Sequence, residues 1–157
     1  MVLGLGGLAG HGHHLADREA FGYFSRLAIA HEVGAVTGAC LLTQRSTWEL
    51  LGGLDETLAV AFNDIDYCLR VRHQAGQRVI WTPEALLYHH ESVSRGAEDD
   101  PQKVARFGAE VELALDRWSE MLPLDPAYSP NLTLEGESFT LARQPRVVPP
   151  WRPPTPE

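Results

Sequence analysis

Apolar residues recur at helical spacing in several segments of the chain. A short helix is predicted over Ser46–Leu51, because Ser46 and Glu49 form a capping-box pair and the glycines at 52–53 favour a helix end. A second helix is predicted over Phe62–Gly76, where apolar side chains stand three and four residues apart. Both segments therefore predict amphipathic helices that cover a core.

The longest predicted helix follows Asp100, an expected N-cap, with Pro101 at the first helical position. A shorter helix is predicted earlier, over Phe21–Glu32. The apolar stripe of the long helix consists of Val104, Phe107, Val111, Leu115, Trp118 and Leu122.

Near-continuous apolar runs between these helices predict buried strands. They cover Ala35–Thr43, Arg78–Trp81 and Ala85–His89, the last two being separated by Pro83. Helices and strands alternate, so the fold class is α/β. Two or three strands are few for a self-sufficient sheet, and we therefore expect this chain to be part of a larger domain with an exposed sheet edge.

Composition narrows the class of protein further. The chain has 157 residues, 44% of them hydrophobic and 22% charged, which is typical of one globular domain. A net charge of −8 argues against a protein that holds bare nucleic acid. No apolar run approaches the roughly 20 residues of a membrane span, and a basic signal-peptide start is absent, so a cytoplasmic location is predicted. Cys40 and Cys68 lie in apolar segments and are predicted to be buried free thiols.

Four sequence blocks carry more specific information. They are TGA at 37–39, GGLDE at 52–56, NDID at 63–66 and TPEALLYHH at 82–90. In this order they resemble the second half of the family 2 glycosyltransferases, above all the bacterial enzymes of O-antigen and surface-polysaccharide assembly, rhamnosyltransferases included. The resemblance implies the C-terminal, acceptor-side portion of a GT-A Rossmann-like domain, and inverting transfer from a nucleotide sugar to a hydroxyl acceptor.

The resemblance also divides the chain into four parts. Residues 1–34 are a glycine- and histidine-rich lead-in with a short helix, and 35–96 are the glycosyltransferase core. Residues 97–124 hold the long amphipathic helix. Residues 125–157 form an extended tail in which six of the 11 prolines fall between 145 and 156.

In the family pattern the catalytic base falls on Asp64. A positioned carboxylate of this kind can take the proton of the attacking hydroxyl. The first turn of a helix stabilises a negative charge there. The alternative is that Asp64 only caps the helix. Asn63 stands where many relatives carry an acidic residue, and Asp66 matches the second acidic position. For Asp66, acceptor contact and a surface ion pair with Arg70 are both open.

The metal position of the family falls on His89, with His90 as the register alternative, because two histidines adjoin at the strand end. The cation, Mn²⁺ or Mg²⁺, is expected only together with the donor-binding half, which this sequence lacks. Arg95 is a candidate phosphate ligand or a solvated loop residue. The candidate substrate-binding residues are Thr37, Gly38, Ala39, Asn63, Asp66 and Arg95. For the first three, the alternative is a plain core strand.

The expected partners are a nucleotide-sugar donor and a glycan or lipid-linked acceptor, together with either the missing N-terminal half or a second copy. The expected location is cytoplasmic, either free or peripheral to the inner face of the membrane, and the chain alone is expected to be inactive. Two alternatives remain open. One is a non-catalytic binding module that retains the glycosyltransferase sub-fold, and the other is a metallohydrolase built on His11, His13, His14 and Asp64.

Overall fold

A computed structural model of the chain describes residues 1–89 and 100–147. These residues form a mixed α/β structure with three α-helices and four short strands, which is compatible with part of a larger domain. The helices are α1 (Arg45–Leu51), α2 (Asn63–His73) and α3 (Pro101–Trp118), and the strands are β1 (Val2–Leu3), β2 (Ala9–Gly10), β3 (His31–Glu32) and β4 (Ile80–Trp81).

The strands pair in two antiparallel ladders. Strand β1 lies beside β2, with Val2 opposite Gly10, and β3 lies beside β4, with His31 opposite Trp81. The second ladder continues for one more hydrogen bond, from the Val33 N–H to the Val79 carbonyl. Each ladder is short, so packing of α2 and its neighbours contributes most of the core.

Helix α2 is the centre of the core. Ile65, Tyr67, Cys68 and Leu69 are all buried, which means that protein surrounds the helix over most of its circumference. The predicted helix is thus confirmed, but it is enclosed more completely than one apolar face requires. A second, smaller cluster joins β1 to the chain after α3 and consists of Val2, Leu5, Tyr128 and Leu132.

Two sequence signals for helix boundaries are confirmed and a third is wrong. Asp100 caps α3 by accepting a hydrogen bond from the Gln102 N–H at 2.8 Å, as predicted. Gly52 ends α1 in the left-handed conformation. The capping box at the start of α1 is wrong, because Gln44 occupies the N-cap position and makes no side-chain cap.

The apolar stripe predicted on α3 is only partly buried. Phe107 and Val104 remain about half exposed, whereas the buried positions are Glu110 and Ala114. The helix therefore turns a face with a carboxylate at its centre towards the protein. That face contacts the loop before α2 instead of a purely apolar surface.

The helix predicted over Phe21–Glu32 is wrong. A single 3₁₀ turn spans Tyr23–Ser25, and Phe24 within it has a φ of +48°. Contacts distant in sequence override the local pattern here, since the Tyr23 ring stacks on Phe139 and the segment ends in strand β3.

Two predicted strands are also wrong in the part of the chain that the structure describes. Within Ala35–Thr43 a 3₁₀ turn forms at Gly38–Cys40, and Leu42 is fully exposed. Ala85–His89 is irregular, and its apolar side chains point largely into solvent. A strand requires a paired neighbour, and neither segment has one among the described residues.

The two thiols differ in their surroundings. Cys68 is buried, as predicted, and burial raises its pKa above the ordinary value. Cys40 is exposed, so the prediction of a buried thiol is wrong there, because the run that contains it turns outward instead of entering a sheet.

Asp66 is an ionisable residue at the centre of the fold. Its side chain is 1% exposed, so the predicted surface pair with Arg70 is in fact an interior one, with 2.8 Å between Arg70 Nε and Asp66 Oδ2. Its other oxygen, Oδ1, accepts hydrogen bonds from Trp118 Nε1 at 3.0 Å and from Arg117 at 3.3 Å. Asp66 therefore joins α2 to α3.

Arg70 extends this network to α1. Its two terminal nitrogens donate to the carbonyls of Leu51 and Gly53, each at 2.8 Å. The three α-helices of the described structure therefore meet through one carboxylate and one guanidinium group. In the same described ranges, no helix is long and apolar enough to cross a membrane.

Replacing Asp66 with alanine is expected to lower the free energy of unfolding by about 3–5 kcal/mol, because Arg70 loses its buried counter-ion. Urea denaturation of the chain measures this change. Asp116→Ala, at an exposed position of α3, is the control and should change stability by less than about 0.5 kcal/mol. Equal effects of the two substitutions would contradict the central role of Asp66.

Candidate functional site

Asp64 lies in the first turn of α2 and is partly exposed. Its Oδ2 accepts a hydrogen bond from the Gly38 N–H at 2.7 Å, and its Oδ1 accepts one from the Ile65 N–H at 2.8 Å. The structure thus brings the TGA block and the NDID block into direct contact across 26 residues of sequence.

The three residues of the TGA block form a tight turn beside this carboxylate. Thr37 Oγ1 accepts the Ala39 N–H at 3.3 Å and so starts the 3₁₀ turn that presents the Gly38 N–H to Asp64. A methyl group at Gly38 would meet the Asp64 Cβ at 3.4 Å, an ordinary contact distance. The contribution of Gly38 to the site is therefore its N–H group, and close approach of the backbone does not depend on its missing side chain.

The other two polar residues of the NDID block differ in their exposure to solvent. Asn63 is partly exposed beside Asp64 at the start of α2. Asp66 faces the interior, where Arg70, Arg117 and Trp118 occupy its oxygens. This geometry favours a structural role for Asp66 over contact with an acceptor.

The GGLDE block forms the turn between α1 and the loop before α2. Gly53 has a φ of +75°, and a Cβ there would lie 2.7 Å from the Trp48 ring, so both conformation and space require glycine. Asp55 accepts hydrogen bonds from the Thr57 N–H and hydroxyl, and it pairs with Arg117 at 2.6 Å. Arg117 is not among the predicted site residues, since one arginine on a helix gives no signal of a partner 62 residues away.

A cleft of about 800 Å³ lies beside the TGA turn. Thr37 and Ala39 line it, as does His89, so three of the predicted site residues share one concave surface. Neither Asp64 nor Gly38 is among the lining residues, and their hydrogen bond lies next to the cleft because Gly38 stands between the lining residues Thr37 and Ala39. Other ring and charged side chains along the cleft include His13, Arg26, His31, Trp81, Tyr88 and Asp125.

His89 is exposed at this cleft. His90 and Arg95 lie outside the described residues. No group of three histidine, cysteine, aspartate or glutamate side chains that could hold a metal ion occurs within residues 1–89 and 100–147. This part of the chain therefore does not by itself supply three side-chain ligands to a metal.

His13 in the N-terminal segment has a packing role. His13 Nε2 accepts a hydrogen bond from the Tyr23 N–H at 2.8 Å, and its ring stacks on Phe139 with centroids 4.1 Å apart. Burial lowers the pKa of His13, which favours the neutral ring. Because Nε2 accepts the Tyr23 N–H, the proton of the neutral ring is on Nδ1. The geometry gives no support to a metallohydrolase site built on these histidines.

No family model and no solved structure matches this chain, but several known proteins are similar to it in sequence. The chain is 53% identical over 143 residues to the uncharacterized protein y4gI of Sinorhizobium fredii, covering 90% of this chain and 16% of the relative. It is 34% identical over 148 residues to the O-antigen biosynthesis protein RfbC of Myxococcus xanthus, covering 92% of this chain and 11% of the relative.

A third relative is an N-acetylglucosaminyl-diphospho-decaprenol L-rhamnosyltransferase of Mycobacterium tuberculosis, 31% identical over 87 residues, or 55% of this chain and 28% of the relative. The names of the second and third relatives support a relationship to glycosyltransferases, which is the coarse part of the resemblance seen in the sequence. The chain spans less than a fifth of the length of the first two relatives.

The hydrogen bonds at Asp55 predict acid sensitivity. Donation by the Thr57 hydroxyl and N–H, together with Arg117, holds the pKa of Asp55 well below its usual range. A lowered folded-state pKa contributes stability that is fully present at neutral pH and is lost as the pH falls below about 4. Asp55→Asn should therefore reduce the loss of unfolding free energy between about pH 4 and pH 2, as measured by urea denaturation.

Thr57→Ala is the graded comparison for this prediction. It removes the hydroxyl donor but keeps the backbone N–H and Arg117, so its acid sensitivity should lie between wild type and Asp55→Asn. An Asp55→Asn protein with the same pH dependence as wild type would contradict the assignment.

Proposed function

We propose that this chain is the C-terminal, acceptor-side portion of an inverting, family 2 glycosyltransferase with a GT-A fold. The full enzyme would transfer a sugar from a nucleotide-sugar donor to a hydroxyl acceptor in the biosynthesis of an O-antigen-like surface polysaccharide. The single observation that carries the proposal is the Asp64–Gly38 bond, which brings two sequence blocks of the family together beside the cleft. The names of the matched relatives support the reaction class.

Asp64 is proposed as the catalytic base. The acceptor oxygen attacks the anomeric carbon, the bond from that carbon to the nucleotide diphosphate breaks, and the hydroxyl proton passes to the carboxylate. Attack from the side opposite the leaving group inverts the configuration at the anomeric carbon. Each Asp64 oxygen accepts one backbone N–H, and a carboxylate oxygen can accept a second bond, so both retain the capacity to receive the acceptor hydroxyl. The two N–H groups also fix the orientation of the carboxylate.

A divalent cation, Mn²⁺ or Mg²⁺, fits this chain only in part. His89 at the cleft can supply one imidazole ligand, and the described residues hold no complete ligand set. The remaining ligands would come from the donor diphosphate and from the donor-binding half. When bound there, such a cation would stabilise the charge of the leaving nucleotide.

The partners and location that we propose take into account that the chain spans only a small part of its relatives. We expect this chain alone to be inactive, and a donor-binding half, joined in one polypeptide or supplied by a partner, to complete the enzyme. The acceptor is proposed to be a glycan or a lipid-linked glycan, which agrees with a cytoplasmic location at the inner face of the membrane. The surface available to the acceptor is the TGA turn with Asn63 beside it.

Asp64→Asn, in the complete enzyme proposed above, should abolish sugar transfer and leave donor binding nearly unchanged. The base acts on the acceptor, and asparagine cannot take its proton. Radiolabelled transfer and calorimetric titration with the nucleotide measure the two quantities. Asp116→Asn is the exposed control. Loss of donor affinity in the Asp64 variant, or retained transfer, would contradict the assignment.

His89→Ala should raise the concentration of Mn²⁺ or Mg²⁺ needed for half-maximal transfer, because one imidazole ligand is lost. His90→Ala is the matched control and should leave that concentration unchanged. The reverse pattern would move the ligand to His90. A metal dependence unchanged in both variants would remove this strand end from the metal site.

A further inference from the structure

The loop that leads into α2 is held by a carboxylate from α3. Glu110 is 4% exposed, and its two oxygens accept separate backbone hydrogen bonds, Oε1 from the Val60 N–H at 3.2 Å and Oε2 from the Ala61 N–H at 2.7 Å. Arg106 lies one turn earlier, with its Nε 3.8 Å from Oε1. A buried carboxylate thus spans two successive peptide groups that are 49 and 50 residues away in sequence.

The next residue along the chain needs this support. Phe62 has a φ of +64°, in the left-handed region that a bulky residue rarely adopts and that surrounding contacts must stabilise. Its ring packs against Phe107 with centroids 5.6 Å apart, and Phe107 stands one turn before Glu110 on α3. Its carbonyl accepts the Asp66 N–H at 2.9 Å, which makes Phe62 the starting point of α2.

We propose that Glu110 is a positioning residue for Asp64. By fixing the Val60 and Ala61 peptides it sets the left-handed turn at Phe62, and this turn sets the first helical residues, which carry the Asp64 carboxylate to the Gly38 N–H. The inference rests on the proposed function, in which Asp64 is the base. Glu110 itself touches no reacting atom in this scheme.

The two hydrogen bonds that Glu110 accepts determine which substitution tests the proposal. Two N–H donors require two acceptor atoms, and a carboxylate supplies both. Glutamine has nearly the same shape but only one acceptor oxygen, so one of the two N–H groups would face an amide NH₂. Glu110→Gln therefore loosens the loop with little change in volume.

In the complete enzyme proposed above, Glu110→Gln should lower kcat about 10- to 100-fold and leave the donor KM within about twofold, because misplacement of a catalytic group acts on the chemical step. Glu112→Gln, exposed on the same helix, is the matched charge control and should keep wild-type kcat. Thr47→Val is the stability control. It removes a buried hydrogen bond to Gln77 and should reduce the melting temperature without reducing kcat at 25 °C.

Glu110→Asp is the second variant in case the glutamine protein does not fold. It keeps the charge and both acceptor oxygens but is one methylene shorter, so we expect a folded protein with lower kcat and unchanged donor KM. Wild-type kcat in the folded Glu110 variants would overturn the inference, as would a loss of kcat in Thr47→Val that matches theirs at equal melting temperature. Failure of the proposed function is distinct, since Asp64→Asn would then retain transfer.

Discussion

The buried carboxylate of Asp66 is the constraint on which the described fold depends. A charge inside a protein is tolerated only when its hydrogen-bonding capacity is filled, and Asp66 receives donors from Arg70, Arg117 and Trp118. Arg70 in turn reaches the carbonyls at the end of α1. Any packing that separated the three helices would leave a charged group without a partner, so this network selects one arrangement.

The same constraint fixes the direction of the candidate base. Successive residues in an α-helix turn by about 100°, so side chains two positions apart point to nearly opposite sides. With Asp66 directed into the interior, Asp64 is directed outward, where it meets the Gly38 N–H. The spacing of two acidic residues by one intervening residue therefore gives one structural and one accessible carboxylate at the same helix end.

Local sequence signals predicted the helices and helix ends that depend only on residues close in sequence. The Asp100 cap with Pro101, the left-handed glycine after α1 and the apolar spacing of α2 each predicted a helix that the structure contains. The predicted strand over Ala35–Thr43 depended on a neighbouring strand, which no local pattern can supply. In the site, the family resemblance predicted Asp64 and the TGA residues as separate candidates but not the hydrogen bond between them, and the roles of Arg117 and Glu110 depend on partners 49 to 62 residues away.

The difference between the two thiols allows one of them to be labelled selectively. Cys40 is exposed two residues after Gly38, whereas Cys68 is buried with a raised pKa. The thiolate is the nucleophile, so burial and a raised pKa protect Cys68 from alkylating reagents. A maleimide fluorophore would accordingly attach at Cys40 in the folded chain and report on the cleft without prior mutagenesis.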